Sequence, residues 1–170
     1  TLSGGTVSVS FAAVQYLKSV FGDAADKQIL LLGTGKIGRS TCKNLIDYLG
    51  AKNITLINRS PQKAIALANE LGLRAALFEN LHEEVAGADV VVVATGAAQP
   101  VVNQSHLADG CKRIVLDLSV PCNVATDVRE LSHVTLINVD VLSRLKDETL
   151  RQRRAEVPKA QAIIAGVMQE

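Results

Sequence analysis

Continuous apolar runs alternate along this chain with stretches whose apolar residues recur at helical spacing. "QILLL" (28–32), "NITLIN" (53–58), "DVVVVAT" (89–95), "RIVLDLS" (113–119) and "VTLIN" (134–138) read as strands, with a short one around Ala75 to Phe78. Helices fall between them: Ile37 to Leu49 stopped by Gly50, and a segment begun by Ser60 as N-cap and Pro61 as first helical residue, ending at Gly72. A helix around Leu81 to Ala86 and a short one near Ser105 complete the alternation. Ahead of the first strand, Phe11, Val14, Leu17, Val20 and Phe21 share one helical face, with Ser8 or Ser10 as the cap and Gly22 as the stop. Strands separated by helix-length segments pair in parallel through right-handed crossovers. The expected class is therefore α/β, a doubly wound parallel sheet of about six strands with an N-terminal helix.

From Asp140 to Glu170 the apolar positions Leu142, Leu145, Leu150, Val157, Ile163, Ile164 and Val167 again follow a largely helical pattern, interrupted by Pro158. Proline cannot donate to the helical ladder, so a kink or a pair of helices is expected there, with residues 159–170 projecting from the domain towards a partner surface.

Composition narrows the picture. In 170 residues, 48% hydrophobic but only 3% aromatic with no Trp, the core must be built from Val, Leu, Ile and Ala. A formal charge of +1 leaves no footprint for autonomous nucleic-acid or membrane binding, although "RLKDETLRQRR" is locally basic. Cys42, Cys111 and Cys122 are an odd set without metal-type spacing, which suits a reduced, cytoplasmic interior. No signal peptide and no membrane span is read, and an opening on Thr1 without Met suggests a piece of something longer.

Gly33, Gly35 and Gly38 form G-x-G-x-x-G directly after a strand and opening a helix, with Thr34, Lys36 and Ile37 between them. In such a Rossmann-like turn the first glycine makes the tight bend, the second lets backbone approach a pyrophosphate and the third packs helix on strand. An Asp or Glu at the end of the second strand would bind a ribose 2′-hydroxyl; here stand Asn58, Arg59 and Ser60, with Lys63 one turn later. A guanidinium and a hydroxyl without a carboxylate suit a 2′-phosphate, so NADPH is expected over NADH. The alternative is a solvated Arg59 and a Ser60 that merely caps its helix. At the switch point, Thr95 and Gly96 end the fourth strand and "DLSVP" (117–121) the fifth; Gly96 would admit the nicotinamide ribose while Val120 and Pro121 wall the ring, or the segment is a plain turn.

Chemistry is harder to find. Cys42 lies about one turn into the helix behind the glycine loop, where a buried inert thiol is expected, and nothing plainly activates Cys122. His82, His106 and His133 form neither metal spacing nor a catalytic arrangement, and read as surface or capping residues. No catalytic or metal residue is assigned.

The strings "SVSFAAV", "LLLGTGKIGR", "LINRS", "VVVATGAAQPVV", "VLDLSVPCNV", "INVDVL" and "RRAEVPKAQAII", in this order and over nearly the whole chain, resemble the NADPH-binding domain of the glutamyl-tRNA reductase family. The resemblance implies an oxidoreductase in which a cysteine attacks the ester of glutamyl-tRNA and NADPH reduces the thioester to glutamate 1-semialdehyde, the entry to tetrapyrrole, porphyrin and haem biosynthesis. That nucleophile sits in a Thr-Cys-Asn-Arg motif of a catalytic domain; Thr41-Cys42-Lys43-Asn44 is not its counterpart. By the same resemblance residues 1–22 lead in from that domain, 23–145 form the NADP-binding domain, and 146–170 begin a linker helix towards a dimerisation domain. Implied partners are glutamyl-tRNA, the two further domains, a second copy of the parent and a downstream aminomutase. Two other readings stay open: the cofactor domain of a shikimate or quinate dehydrogenase, which shares the Asn-Arg-Ser/Thr strand end, and a Rossmann regulatory domain that no longer binds nucleotide.

Overall fold

Four of the six strands keep nearly every residue out of water, and this fixes how the sheet is assembled. In the computed structural model, residues 2–22, 25–95, 97, 99–108, 110–119, 123–142 and 144 are described, the side chains of residues 2–8 excepted. Strands β1 (Gln28–Leu32), β2 (Asn53–Ile57), β3 (Arg74–Ala75), β4 (Val90–Val93), β5 (Arg113–Asp117) and β6 (Val134–Asn138) form one sheet in the order β3-β2-β1-β4-β5-β6. All five pairings are parallel. Leu31 stands opposite both Leu56 and Val92, in the middle of the sheet.

Side chains alternate across a strand, so each central strand feeds two cores. Leu30, Leu32, Val91, Val93 and Val115 pack on one face with Leu81 and Val85 of α4 (Leu81–Ala86), and with Leu107 and Val128 of two short 3-10 helices, Gln104–Leu107 and Thr126–Glu130. Ile29, Leu31, Val90 and Val92 are equally buried and point the other way by that alternation. Two helices pack together, α1 (Leu2–Phe21) presenting Ala13, Val14 and Leu17 and α2 (Lys36–Leu49) presenting Cys42, Leu45 and Leu49, all of them buried. Each buried Val, Leu or Ile side chain contributes about 1.5–3 kcal/mol through its removal from water.

The predicted stops are found. Gly50 and Gly72 cap α2 and α3 (Pro61–Leu71) in left-handed conformations, at φ 64° and 70°. Four local expectations need correction. Helix α1 starts at Leu2, so Ser8 and Ser10 lie inside it; Ser10 is buried and bonds the Ser40 hydroxyl at 2.9 Å across the α1–α2 contact. Ser60 occupies the N-cap position of α3 without capping it, since its hydroxyl turns to Gln62 Oε1 at 3.3 Å. The third strand is displaced to Arg74–Ala75, because Phe78–Asn80 is taken by a 3-10 turn. The fifth strand stops at Asp117, whose carboxylate captures the Ser119 N–H at 3.1 Å and diverts the chain from the ladder.

Residues 1–139 form one compact unit and 140–170 a second. In the second, residues 140–142 and 144 are described and helical; the expected kink at Pro158 and projecting helix lie outside the described residues.

Candidate functional site

The strand order places a crevice between β1 and β4, where successive connections leave the sheet in opposite directions. Open α/β sheets hold ligands outside the carboxyl ends of the strands at such a point. The expected site residues are distributed around it.

The first wall is the turn from β1 to α2. Gly33 is buried at φ +100°, and a Cβ there would strike the carbonyl of Ala94 at the end of β4. Its N–H donates to the Ile57 carbonyl at 2.8 Å, tying the turn to the end of β2. At Gly38 a Cβ would strike the Gly33 carbonyl, so helix and strand meet as closely as backbones allow. Gly35 is different. It lies at φ −74°, a conformation open to any residue, and a Cβ on it would meet nothing within 4 Å. The fold thus demands glycine at Gly33 and Gly38 and leaves the face of Gly35 open. Gly35 is also the N-cap of α2; no side chain caps the helix, and its first turn carries no acid. Those backbone N–H groups face outward with the positive end of the helix dipole. Thr34 and Ile37 are half-buried and Lys36 is exposed.

At the end of β2, Asn58 Nδ2 donates to the Ser60 carbonyl at 3.3 Å and shapes the turn into α3. Arg59 is exposed, its guanidinium 5.8 Å from the centre of the Phe78 ring, a stacking that steadies a long side chain while leaving its donors available. Lys63 is exposed on the first turn of α3, and no acid lies between Ile57 and Lys63. Arg59, Ser60 and Lys63 are therefore brought together on a strand end without a carboxylate.

The second wall is built by side chains. Asp117, 1% exposed, accepts the N–H groups of Ser119 at 3.1 Å and of Asn123 and Val124 at 2.9 Å. Asn123, fully buried, then reaches across to the chain after β4. Its Oδ1 accepts from the Thr95 hydroxyl at 2.6 Å and the Ala97 N–H at 3.0 Å, while its Nδ2 donates to the carbonyls of Ala97 at 2.7 Å and Gln99 at 3.3 Å. Ser119 adds a bond from the Thr95 N–H to its Oγ at 3.1 Å. Thr95 is half-buried at the crevice; Gly96, Val120 and Pro121 lie outside the described residues, as does Cys122. Sequence reasoning missed Asn123 and gave Asp117 no role. A carboxylate closing an apolar strand was an available signal for Asp117, whereas no local signal marks Asn123.

Cys42 and His106 take the buried and capping positions expected of them, whereas His133 is half-buried and bonds a remote carbonyl. Cys42 is fully buried, and burial, opposed by the nearby Arg39 charge, pushes its thiol up to about 11. His106 completes a capping box with Asn103, accepting the Asn103 N–H at 3.1 Å, and stacks on His82 with ring centres 4.3 Å apart. His133 Nε2 donates to the Leu107 carbonyl at 2.7 Å, the assignment a carbonyl partner requires. Among the described residues no cluster of His, Cys, Asp or Glu could hold a metal, and no helix is long and apolar enough to cross a membrane.

Residues 15–145 match the sequence model of the family described as "Shikimate / quinate 5-dehydrogenase". The chain belongs to that family. Its whole-length similarity runs to glutamyl-tRNA reductases. It is 47% identical over 169 residues to the glutamyl-tRNA reductase of Flavobacterium psychrophilum, a match covering 99% of this chain and 41% of the relative. It superposes on the glutamyl-tRNA reductase of Methanopyrus kandleri with a TM-score of 0.77 and 32% identity, over 90% of this chain and 40% of that one. The nucleotide-binding domain of the Thermoplasma volcanium enzyme shares the fold, with a TM-score of 0.65 at 22% identity over 85% of this chain and 96% of that one. The chain thus spans about two fifths of the length of the curated relatives it matches. The shikimate/quinate dehydrogenase reading accords with the family; the near-complete alignment at 47% identity places the homologues among the reductases.

Proposed function

We propose that this chain is the NADPH-binding domain of a glutamyl-tRNA reductase, working in the cytoplasm as part of a homodimeric parent. The observation that carries the reading is the open face of Gly35, a glycine the fold does not require, at an uncapped helix N-terminus beside a cationic strand end. Such a surface suits a pyrophosphate at the helix and a 2′-phosphate at Arg59 and Ser60, with Lys63 as a second cation. Thr34, Lys36 and Ile37 shape the turn, and Thr95, with Gly96, Val120 and Pro121, forms the nicotinamide end. Bound NADPH would supply the hydride that reduces a cysteine-bound glutamyl thioester, drawn from glutamyl-tRNA, to glutamate 1-semialdehyde for tetrapyrrole synthesis and a downstream aminomutase. This chain's own residues bind and orient; with Cys42 buried as a thiol, the nucleophile belongs to the parent's catalytic domain, which residues 1–22 adjoin, as residues 146–170 adjoin the dimerisation domain.

Calorimetric titration with NADPH and, in parallel, NADH tests the reading. Saturable NADPH binding with much weaker NADH binding is expected, and Arg59→Asp should weaken NADPH by about 1–3 kcal/mol through loss of a charge-assisted hydrogen bond. No heat from either nucleotide in a folded sample would reject it in favour of a Rossmann domain that has lost its ligand.

A further inference from the structure

We infer that Asn123 is a positioning residue that makes the Thr95 hydroxyl a hydrogen-bond acceptor at the nicotinamide end of the crevice. The inference rests on the nucleotide reading above and adds to it a residue and a polarity.

The polarity follows from neighbours that can play one role each. The Ala97 N–H can only donate, and it lies 3.0 Å from Asn123 Oδ1. The carbonyls of Ala97 and Gln99 can only accept, and both take Asn123 Nδ2. The amide cannot be flipped without setting donor against donor and acceptor against acceptor. Oδ1 is therefore an oxygen, and the Thr95 hydroxyl 2.6 Å from it must donate. With its proton directed at Asn123, Thr95 offers the crevice only lone pairs. Its N–H is likewise turned to Ser119 Oγ at 3.1 Å. A ligand group facing Thr95 must then be a donor, such as a ribose hydroxyl or a carboxamide N–H.

Asn123 is fully buried and cannot touch a ligand itself. It is held from behind by its own N–H on the buried Asp117 carboxylate, 2.9 Å away. The end of β5 thus sets the hydrogen-bonding character of a residue after β4.

The test compares NADPH with adenosine 2′,5′-bisphosphate, which lacks the nicotinamide half, on the wild-type chain, Thr95→Val, Thr95→Ser and Asn123→Asp. Calorimetry gives the affinities, and the emission of bound NADPH reports the surroundings of its nicotinamide. Thr95→Val should keep bisphosphate affinity within about twofold while losing about three- to tenfold for NADPH, the loss of one hydrogen bond. Thr95→Ser should restore it. Asn123→Asp keeps an acceptor but sets a carboxylate oxygen against the Ala97 and Gln99 carbonyls, which should displace the side chain from Thr95, reproduce the Thr95→Val pattern and move NADPH emission towards that of the free nucleotide. If Asn123→Asp does not fold, the Val and Ser pair decides. Unchanged NADPH affinity in Thr95→Val, or equal losses for both ligands, would overturn the inference while the nucleotide reading stands. A wild-type chain that binds neither ligand would remove that reading, and this inference with it.

Discussion

The wall of the crevice that follows β1 is made of backbone, whereas the wall that follows β4 is held in place by buried side chains. In the first, Gly33 and Gly38 let main chain touch main chain within one short motif, and Gly33 also meets the Ala94 carbonyl and donates its N–H to the Ile57 carbonyl. In the second, the Asp117 carboxylate folds the chain after β5 back through the N–H groups of Ser119, Asn123 and Val124, and the Asn123 amide then joins segments more than twenty residues apart through its bonds to Thr95, Ala97 and Gln99. A backbone wall is written as a local motif, and a side-chain wall is not. The first tolerates no added atom at its two packed glycines; the second tolerates no change of donor or acceptor.

The sharpest way to break this contrast is at its two packing points. Gly33→Ala combines a positive φ with a backbone collision and should cost about 3–5 kcal/mol, read as a lowered urea midpoint or loss of soluble protein. A stable Gly33→Ala chain would mean that the turn is not under steric constraint. On the other wall, Asp117→Asn exchanges a charged acceptor for one that meets backbone N–H groups with an NH2, and should cost about 2–3 kcal/mol. Because the Asp117 network lies away from β2, Asp117→Asn should also leave affinity for adenosine 2′,5′-bisphosphate within about twofold, far less than the factor of ten that 1.4 kcal/mol represents. Collapse of both would show that the walls are one cooperative unit.

The smallest expected effect concerns pH and lies just beyond the second wall, in the 3-10 helix that follows Val102. Burial, then the charge of neighbouring His82, holds His106 below its ordinary value of 6.5. Its Nδ1 accepts the Asn103 N–H, so protonation there breaks the capping box. A histidine whose folded value is lowered favours the neutral form on folding. Its contribution is fully present above about pH 6.5 and is lost as pH falls through the window below it. His106→Gln keeps an acceptor without titrating, so between pH 7.5 and 5 it should lose less stability than the wild type, by under about 1 kcal/mol. Equal losses in the two proteins would remove His106 from the acid response.

Legibility in the sequence divides along the same line. The strands, the glycine stops of α2 and α3 and the glycine-rich turn after β1 are readable because each is a local signal: an apolar run, a helix-ending glycine, a fixed spacing. Element ends were less so. The third strand shifted because the Phe78–Asn80 turn competed for its residues, and the fifth ended early because the Asp117 side chain outcompeted the ladder for the Ser119 N–H. Ser60 was read as a cap from residue type alone, while its hydroxyl found Gln62 instead. Asn123 is illegible, since its partners between positions 95 and 102 are defined only once β4 and β5 lie side by side.

The measurement that bears most directly on the account is NADPH titration of Gly35→Ala beside the wild type, with both unfolding curves. Gly35 has an ordinary φ and open space, so alanine should leave stability within about 1 kcal/mol, the scale of an N-cap change, while placing a methyl group on the path proposed for the pyrophosphate. The account predicts NADPH affinity reduced at least about tenfold, a change of 1.4 kcal/mol or more, with folding essentially intact. Unaltered NADPH affinity in Gly35→Ala would contradict it, because the open glycine would then face no phosphate.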